Sequence, residues 1–513
     1  MGKVAETEFR SEIELLQYSD ARFKDPLSPL FTHIPLPTSP GQRQFRHTTI
    51  TSSPTLASLI DWQISELPQN QNPNEEWLPI TESRKGNPFY ATFHILNSGI
   101  GSQALMLPVA FSTLGWAWGS ICLSIAFVWK LYTIFLLVAL HESVPGIRFS
   151  RYLSLAMAAF GKRIGKVIAI FPVMYLSGGT CVLLIITGGG TMQLFYKTVC
   201  QKETCDAHSL TGAEWFLVFT CIAILIAQLP NLNSIAWVSL IGAIMALTYC
   251  TLLWVLPLKY GRPRPLSYAP SNQHQGHSTL AKSSDILNAI GIIVLSFRGH
   301  NVLLEIQGTL PSNAKHPSHE PMRKAVIIAY LLIAMCFFPI GIDGFWAYGN
   351  KIALSRGLLN ALPKFHRHQV TKFTMGGIYL LVIVHCLTSF QIYAMPVFDN
   401  LELSYVSIKK QRCPRWVRTC FRLLFGGLTL FLSVAFPFLP ALSALIGGLT
   451  LGPITYAYPC FMWIAIKKPP RTALLWVFNV VLGSLGMILS ALLVAAALWT
   501  LADKGLNANF FNP

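Results

Sequence analysis

From Phe89 onward the chain alternates long apolar runs with short polar loops, whereas residues 1–88 carry no such run. Eleven runs stand out, at 91–114, 117–141, 165–194, 213–229, 235–256, 286–307, 323–346, 373–399, 416–436, 439–465 and 473–501. Each can cross a hydrocarbon layer about 30 Å thick as a helix, which satisfies its backbone polar groups internally. Pro437 and Pro440 alone divide the ninth run from the tenth, so ten and twelve are the neighbouring counts. The pattern predicts an all-α polytopic membrane protein of about eleven transmembrane helices over 89–505. Residues 506–513 would form a short tail. Residues 1–88, rich in Pro, Ser, Thr, Gln and Asn, have too little apolar surface to offset ordering entropy and are expected to be disordered. The first apolar run begins too late for a cleaved leader.

Two of these runs are interrupted. The first reads HILNSGIGSQALMLPVAF, where Asn97, Ser98, Gly99 and Gly101 break an apolar helix; each Gly in a helix interior costs about 1 kcal/mol relative to Ala. An unwound stretch frees N–H and C=O groups, tolerable in a membrane only where they line a cavity. The half-helix beyond the break would then point its positive N-terminal end at a carboxylate. Small residues that merely allow close helix packing are the competing reading. The sixth run, ILNAIGIIVLSFRGHNVLLEIQGTLP, shifts the balance, because Ser296, Phe297, Arg298, Gly299, His300 and Asn301 fall in its middle. Breaks in the first and sixth of two five-helix sets mark an inverted-repeat transporter with a midplane site.

Composition agrees: 52% of the residues are hydrophobic and 12% charged, against about 25% charged in soluble proteins. The net charge of +17 does not indicate nucleic acid, since Lys and Arg are scattered between apolar runs rather than gathered on one basic domain. With the N-terminus cytosolic, the densest cluster, from Lys409 to Arg422, falls on the inside; the expected orientation is therefore a cytosolic N-terminus and an extracellular C-terminus.

Ionisable groups within membrane runs are functional candidates by default. Lys130, Arg298, His300, Glu305, Asp343 and His385 qualify. Lys130 and Glu305 could form a buried structural pair or a coupling site, His385 reads as a satisfied core histidine, and Asp343 as an interfacial group. Arg298, a permanent cation beside an unwound helix, calls for an anion, either the substrate carboxylate or Glu305. Cys200 and Cys205 bracket a short polar loop and could form a disulfide in an oxidising space. No cysteine spacing suggests a zinc site, and Gly188-Gly189-Gly190 lacks the strand and Lys-Ser/Thr follower of a phosphate loop. No nucleophile–base constellation of a membrane hydrolase or acyltransferase is present, so no enzyme is expected.

The runs NSGIGSQALMLPVAFSTLGWAWG, HESVPGIRFSRY, FRGHNVLLEIQGTLP and SFQIYAMPVFDNLE resemble the plant lysine/histidine transporter-like group of the amino acid/auxin permease family. The stretch EEWLPITESRKGNPFYATFH resembles its long-tailed branch. The resemblance implies a LeuT-like fold of two inverted five-helix repeats plus one extra helix. It implies proton-coupled amino acid uptake at the plasma membrane, with the proton gradient as energy source and no cofactor. It further implies that Asn97, Ser98, Gly99, Gly101, Phe297 and Gly299 line the pocket, with Phe297 as an aromatic gate. Tyr175, Thr388 and Ser389 would complete the site from the third and eighth helices. Arg298 and Lys130 depart from better-known relatives, and a fixed cation disfavours basic substrates, so neutral or acidic amino acids are expected. Glu305 or His300 would take the coupled proton. A non-transporting amino acid sensor signalling through the N-terminal tail is the alternative. Partners are thus the substrate, protons and lipid, without nucleic acid; the oligomeric state is not legible.

Overall fold

The structure, a computed structural model, describes residues 77–511 apart from 201–209, 230, 233, 264, 270–278, 314, 356 and 506–510. All described residues lie in one compact unit, Gln69–Pro513. Among them the only β pairing is a lone bridge between Val144 and Ile147.

Asn87 starts α1 (Pro88–Gly99) by accepting from the Tyr90 N–H at 2.8 Å, with Pro88 at the first helical position, where its missing N–H costs nothing. The helix stops at Gly99, and Ile100 and Gly101 run extended (φ −90° and −119°) before a 3-10 turn, Ser102–Met106. Then α2 (Leu107–Leu140) turns a corner at Gly115, whose φ of +77° suits a residue without Cβ. The expected first span is therefore two half-helices, and the second begins after the corner. The sixth is likewise split. It consists of α8 (Thr279–Ser296), a break at Phe297-Arg298-Gly299, and α9 (His300–Gly308), with Gly299 at φ +99° capping α9. The breaks lie against each other: a Cβ on Gly299 would sit 3.2 Å from Ser98 Oγ, and one on Gly101 3.4 Å from Arg298 Cδ.

The other helices surround this pair. After a short α3 (Tyr152–Phe160), α4 (Lys162–Met174) and α5 (Thr180–Val199) are joined by a π turn, Tyr175–Gly179. There follow α6 (Gly212–Ile226), α7 (Ala236–Tyr260) and α10 (His319–Tyr348). Two short helices, α11 (Lys351–Ser355) and α12 (Leu358–Phe365), occupy a loop that the hydrophobic pattern left without structure. α13 (Lys372–Lys409) and α14 (Arg415–Ala435) come next. α15 (Leu439–Gly452) and α16 (Tyr458–Lys467) are joined by a second π turn, and α17 (Leu474–Lys504) ends the bundle. Large apolar side chains such as Phe373, Leu225, Trp237 and Leu474 stand exposed on its exterior, as a lipid-facing surface requires.

Among the described residues, nine helical stretches are long and apolar enough to cross a membrane, and α6 is a shorter apolar one. That tally does not establish the expected eleven. The first two expected spans are merged across Gly115, with α1 too short to count by itself, and α6 has only 15 residues.

The expected disorder up to residue 88 fails over 77–87. Leu78, Ile80 and Thr81 are buried; the Ile80 N–H donates to Asp399 Oδ1 (3.3 Å), Gly86 N–H to Thr309 O (3.1 Å), and Arg418 Nη2 to Trp77 O (2.7 Å). These partners come from α13, the end of α9 and α14, so nothing local to the segment announces its order. Residues 1–76 lie outside the described residues.

Candidate functional site

Unwinding at Ile100 and Arg298 releases backbone groups, and the structure places side chains on four carbonyls at the breaks. His385 Nε2 lies 2.8 Å from Ile100 O, Tyr393 OH donates to Ser98 O at 2.6 Å, and Ser389 Oγ to Asn97 O at 2.9 Å. All three lie on α13 at spacings of four residues, one face of a helix. Thr388 Oγ1 and Ser389 Oγ also donate to Asn97 Oδ1, at 3.2 and 3.0 Å. α7 must approach closely for this, and Gly242 permits it: a Cβ there would lie 2.2 Å from Thr388 Oγ1 and 2.4 Å from Asn97 Oδ1. On the other break, Lys130 of α2 donates its ammonium to Arg298 O. The same ammonium lies 5.8 Å from the Phe297 ring centroid and 6.0 Å from that of Tyr330.

A vestibule of about 870 Å³ descends to these breaks, with Gly357 and Asn360 among the residues lining it and Tyr175, Thr180, Arg298, Asn301 and Tyr393 deeper in. Below it, Asn97, Ser98, Gly101, Arg298, His385 and Ser389 enclose a cavity of about 10 Å³, room for a single water. Arg298 is the one Asp, Glu, Lys or Arg among the residues lining either space. It forms no ion pair with any described carboxylate. Asn97 Nδ2 and Gln103 Oε1 are buried without hydrogen-bond partners, an unsatisfied polarity that a polar ligand could meet. The opposite end of the bundle is closed by Trp77–Glu82 together with the Arg151–Asp399 pair (2.5 Å) and the Arg418–Glu402 pair (2.9 Å).

The sequence candidates divide accordingly. Asn97, Ser98, Gly101, Arg298, Tyr175, Thr388, Ser389 and His385 converge on the breaks or the vestibule. Gly99 packs against Ile333, where a Cβ would come within 2.8 Å of its Cδ1. Phe297 is displaced from its expected gating role. It is buried against Phe127 and Phe337, with ring centroids at 6.2 and 5.2 Å, and does not line the vestibule. The aromatic residues that line it are Tyr175, Tyr393 and Phe438. Lys130 and Glu305 do not pair, because Lys130 is held at the break while Glu305, a turn and a half further along α9, accepts from the Tyr152 N–H at 3.3 Å. Glu305 Oε2 and His300 Nδ1 are buried without a hydrogen-bond partner; His300 Nε2 meets Thr133 Oγ1 at 3.0 Å. Asp343 is half-buried. Cys200 is disulfide-bonded, and Cys205 lies outside the described residues. Sequence reasoning missed Tyr393 and Gly242. The first could have been found as the next residue on the His385–Ser389 face, but the second carries no local signal.

Comparison with known proteins agrees with this geometry. Residues 84–502 match the family described as transmembrane amino acid transporter protein. The chain is 52% identical over 442 residues to the protein named Lysine histidine transporter-like 8 of Arabidopsis thaliana, covering 86% of this chain and 84% of that one. It is 49% identical over 444 residues to Lysine histidine transporter-like 7 of the same plant, covering 86% and 90%. Among solved structures, MhsT in complex with L-phenylalanine superposes with a TM-score of 0.54 at 12% identity, over 80% of this chain and 98% of that one. Mhp1, a nucleobase-cation-symport-1 family transporter, gives 0.52 at 12%, over 84% and 96%. At such identity the likeness is one of fold, the LeuT-like arrangement that two broken helices in the first and sixth places imply. The chain thus belongs to the transmembrane amino acid transporter family, as an integral membrane transporter and not an enzyme.

Proposed function

We propose that this protein carries neutral or acidic amino acids into the cell together with protons, by alternating access, at the plasma membrane with its N-terminus cytosolic. The observation that carries the reading is Arg298. It stands at the meeting of two broken helices, half-buried at the floor of the vestibule, with no carboxylate opposite it. A substrate carboxylate supplies the missing anion, and a guanidinium binds it through paired N–H donors. The side chain of a Lys or Arg substrate would meet this same fixed cation, which disfavours it.

His385 supports the proton reading. Its Nε2 faces Ile100 O (2.8 Å) and its Nδ1 faces Gly242 O (3.2 Å). Carbonyl oxygens only accept, and a neutral imidazole has a single N–H, so only the imidazolium donates to both. A proton there ties the unwound part of α1 to α7, and its loss frees one of them to move. Glu305 and His300, each with an unpartnered buried atom, are the other proton candidates.

The test is uptake of labelled amino acids into cells lacking their own permeases, at acidic and neutral external pH. Symport requires uptake that rises with acidity and collapses with a protonophore. Binding without flux by protein delivered to the surface would replace this reading with the sensor. His385→Gln and Glu305→Gln then assign the proton: the residue whose loss flattens the pH dependence carries it, and a variant with the parental profile is removed from the mechanism.

A further inference from the structure

At the closed end of the bundle, away from the vestibule, a second cavity of about 830 Å³ opens between the end of α6 and the start of α14. Four arginines line it: Arg412, Arg415, Arg418 and Arg422. Two carboxylates are near, and both are already engaged. Glu82 pairs with Arg412 and, at 3.5 Å, with Arg418; Glu402 pairs with Arg418 at 2.9 Å. Arg415 and Arg422 have no carboxylate within ion-pair distance among the described residues. Arg422 is the telling member. It is 3% exposed, yet its Nε and Nη2 have no hydrogen-bond partner, its guanidinium resting 5.5 Å from the Phe398 ring centroid. A cation so buried with donors unmet costs free energy unless an acceptor arrives.

We infer that this cavity is a binding site for a dianionic phosphate, a phosphomonoester or inorganic phosphate rather than a lipid phosphodiester, held by Arg415 and Arg422 with Arg412 and Arg418 at its side. Planar guanidinium forks match phosphate oxygens, and several forks around one space suit a dianion better than a single carboxylate. The cavity is also far larger than a carboxylate side chain needs. Its position offers two sources. Outside it, α14 presents Trp416, Leu423, Leu424 and Leu428, all exposed. Acyl chains lying along that band would bring a phosphorylated lipid headgroup to the arginines, as basic pockets between membrane helices do. A free phosphate can enter from the aqueous side. The site does not depend on the substrate proposed above or on which compartment this end meets.

The full-length protein in nanodiscs of phosphatidylcholine decides the matter by its thermal unfolding midpoint. It is titrated separately with phosphatidylinositol bisphosphate in the bilayer, with soluble inorganic phosphate, and with phosphatidylserine, an anionic control that carries a phosphodiester and a carboxylate but no phosphomonoester. The expected result is a rise in Tm with the phosphorylated lipid that phosphatidylserine does not reproduce. Arg415→Gln, at an exposed position where folding is not at stake, should weaken it about tenfold; Arg422→Gln should abolish it. A matching rise with inorganic phosphate supports the site and makes free phosphate sufficient; a rise with the lipid alone supports it as a headgroup site. An equal rise with phosphatidylserine, no rise at all, or a rise that Arg415→Gln leaves unchanged overturns it.

Discussion

The Lys130 ammonium donates to the backbone carbonyl of Arg298, so two cations stand at one broken helix. Lys130 faces the Phe297 ring and Tyr330 of α10 and holds the backbone; Arg298 turns its side chain to the vestibule. One cation fixes the break and leaves the other free for an anion.

Lys130→Met removes that donor and strands the carbonyl, a loss of about 1–3 kcal/mol, while relieving the desolvation of a buried charge, which acts in the opposite sense. Stability should therefore change little and transport much. Uptake per surface molecule is expected to fall at least about tenfold; parental uptake would mean the bond is dispensable.

Arg298→Gln tests the substrate anion. Loss of a charge-assisted pair should raise KM for neutral amino acids roughly tenfold or more, and the relative uptake of Lys should rise as the repelling charge goes. Competition between labelled substrates measures both. An unchanged KM would take Arg298 out of the substrate site.

Gly242→Ala places a methyl where Thr388 Oγ1 and Asn97 Oδ1 already stand. Overpacking of this kind costs about 1–3 kcal/mol, and here it also pushes α7 off the unwound helix. A lower Tm in detergent together with lost uptake is expected. Gly190→Ala, with open space around its Cβ, is the control that should keep both.

Ser389→Ala and Thr388→Ala remove donors to Asn97. Each should cost about 1 kcal/mol. Because both act on one amide, the double variant should lose less than the sum. Tm values of the three variants give the coupling, and strict additivity would show that the two hydroxyls act separately.

Glu142, in the loop after α2, is held by Arg148 Nε (2.9 Å) and Ser318 Oγ (2.8 Å). Burial pushes its carboxyl up, but hydrogen bonds from His141, Ser318 and Ser312 outweigh that and hold it at about 2. A carboxyl lowered on folding adds stability that is present above its ordinary range and lost as pH falls toward 2. Acid unfolding should thus be less steep in Glu142→Gln between about pH 5 and pH 2. Equal slopes would mean that the pair carries no acid-sensitive stability.

The sequence by itself determined the membrane class, the two broken helices and most residues that meet at them. Those are local properties: apolar runs of bilayer length, and Asn, Ser and Gly where a helix must open. Only the tertiary structure decided where side chains of equal local character point. Phe297 and Tyr393 are both aromatics beside the breaks, yet the first is turned into the α2–α10 packing and the second to the vestibule. Lys130 and Glu305 could be read from the sequence as a buried pair or a coupling site, but α9 carries the carboxylate away from the break along its axis. Trp77–Asn87 reads as tail because its partners, Asp399, Thr309 and Arg418, lie more than 200 residues away in sequence. Helix breaking is set by the residues that break; direction and partnership are set by which other helices have arrived.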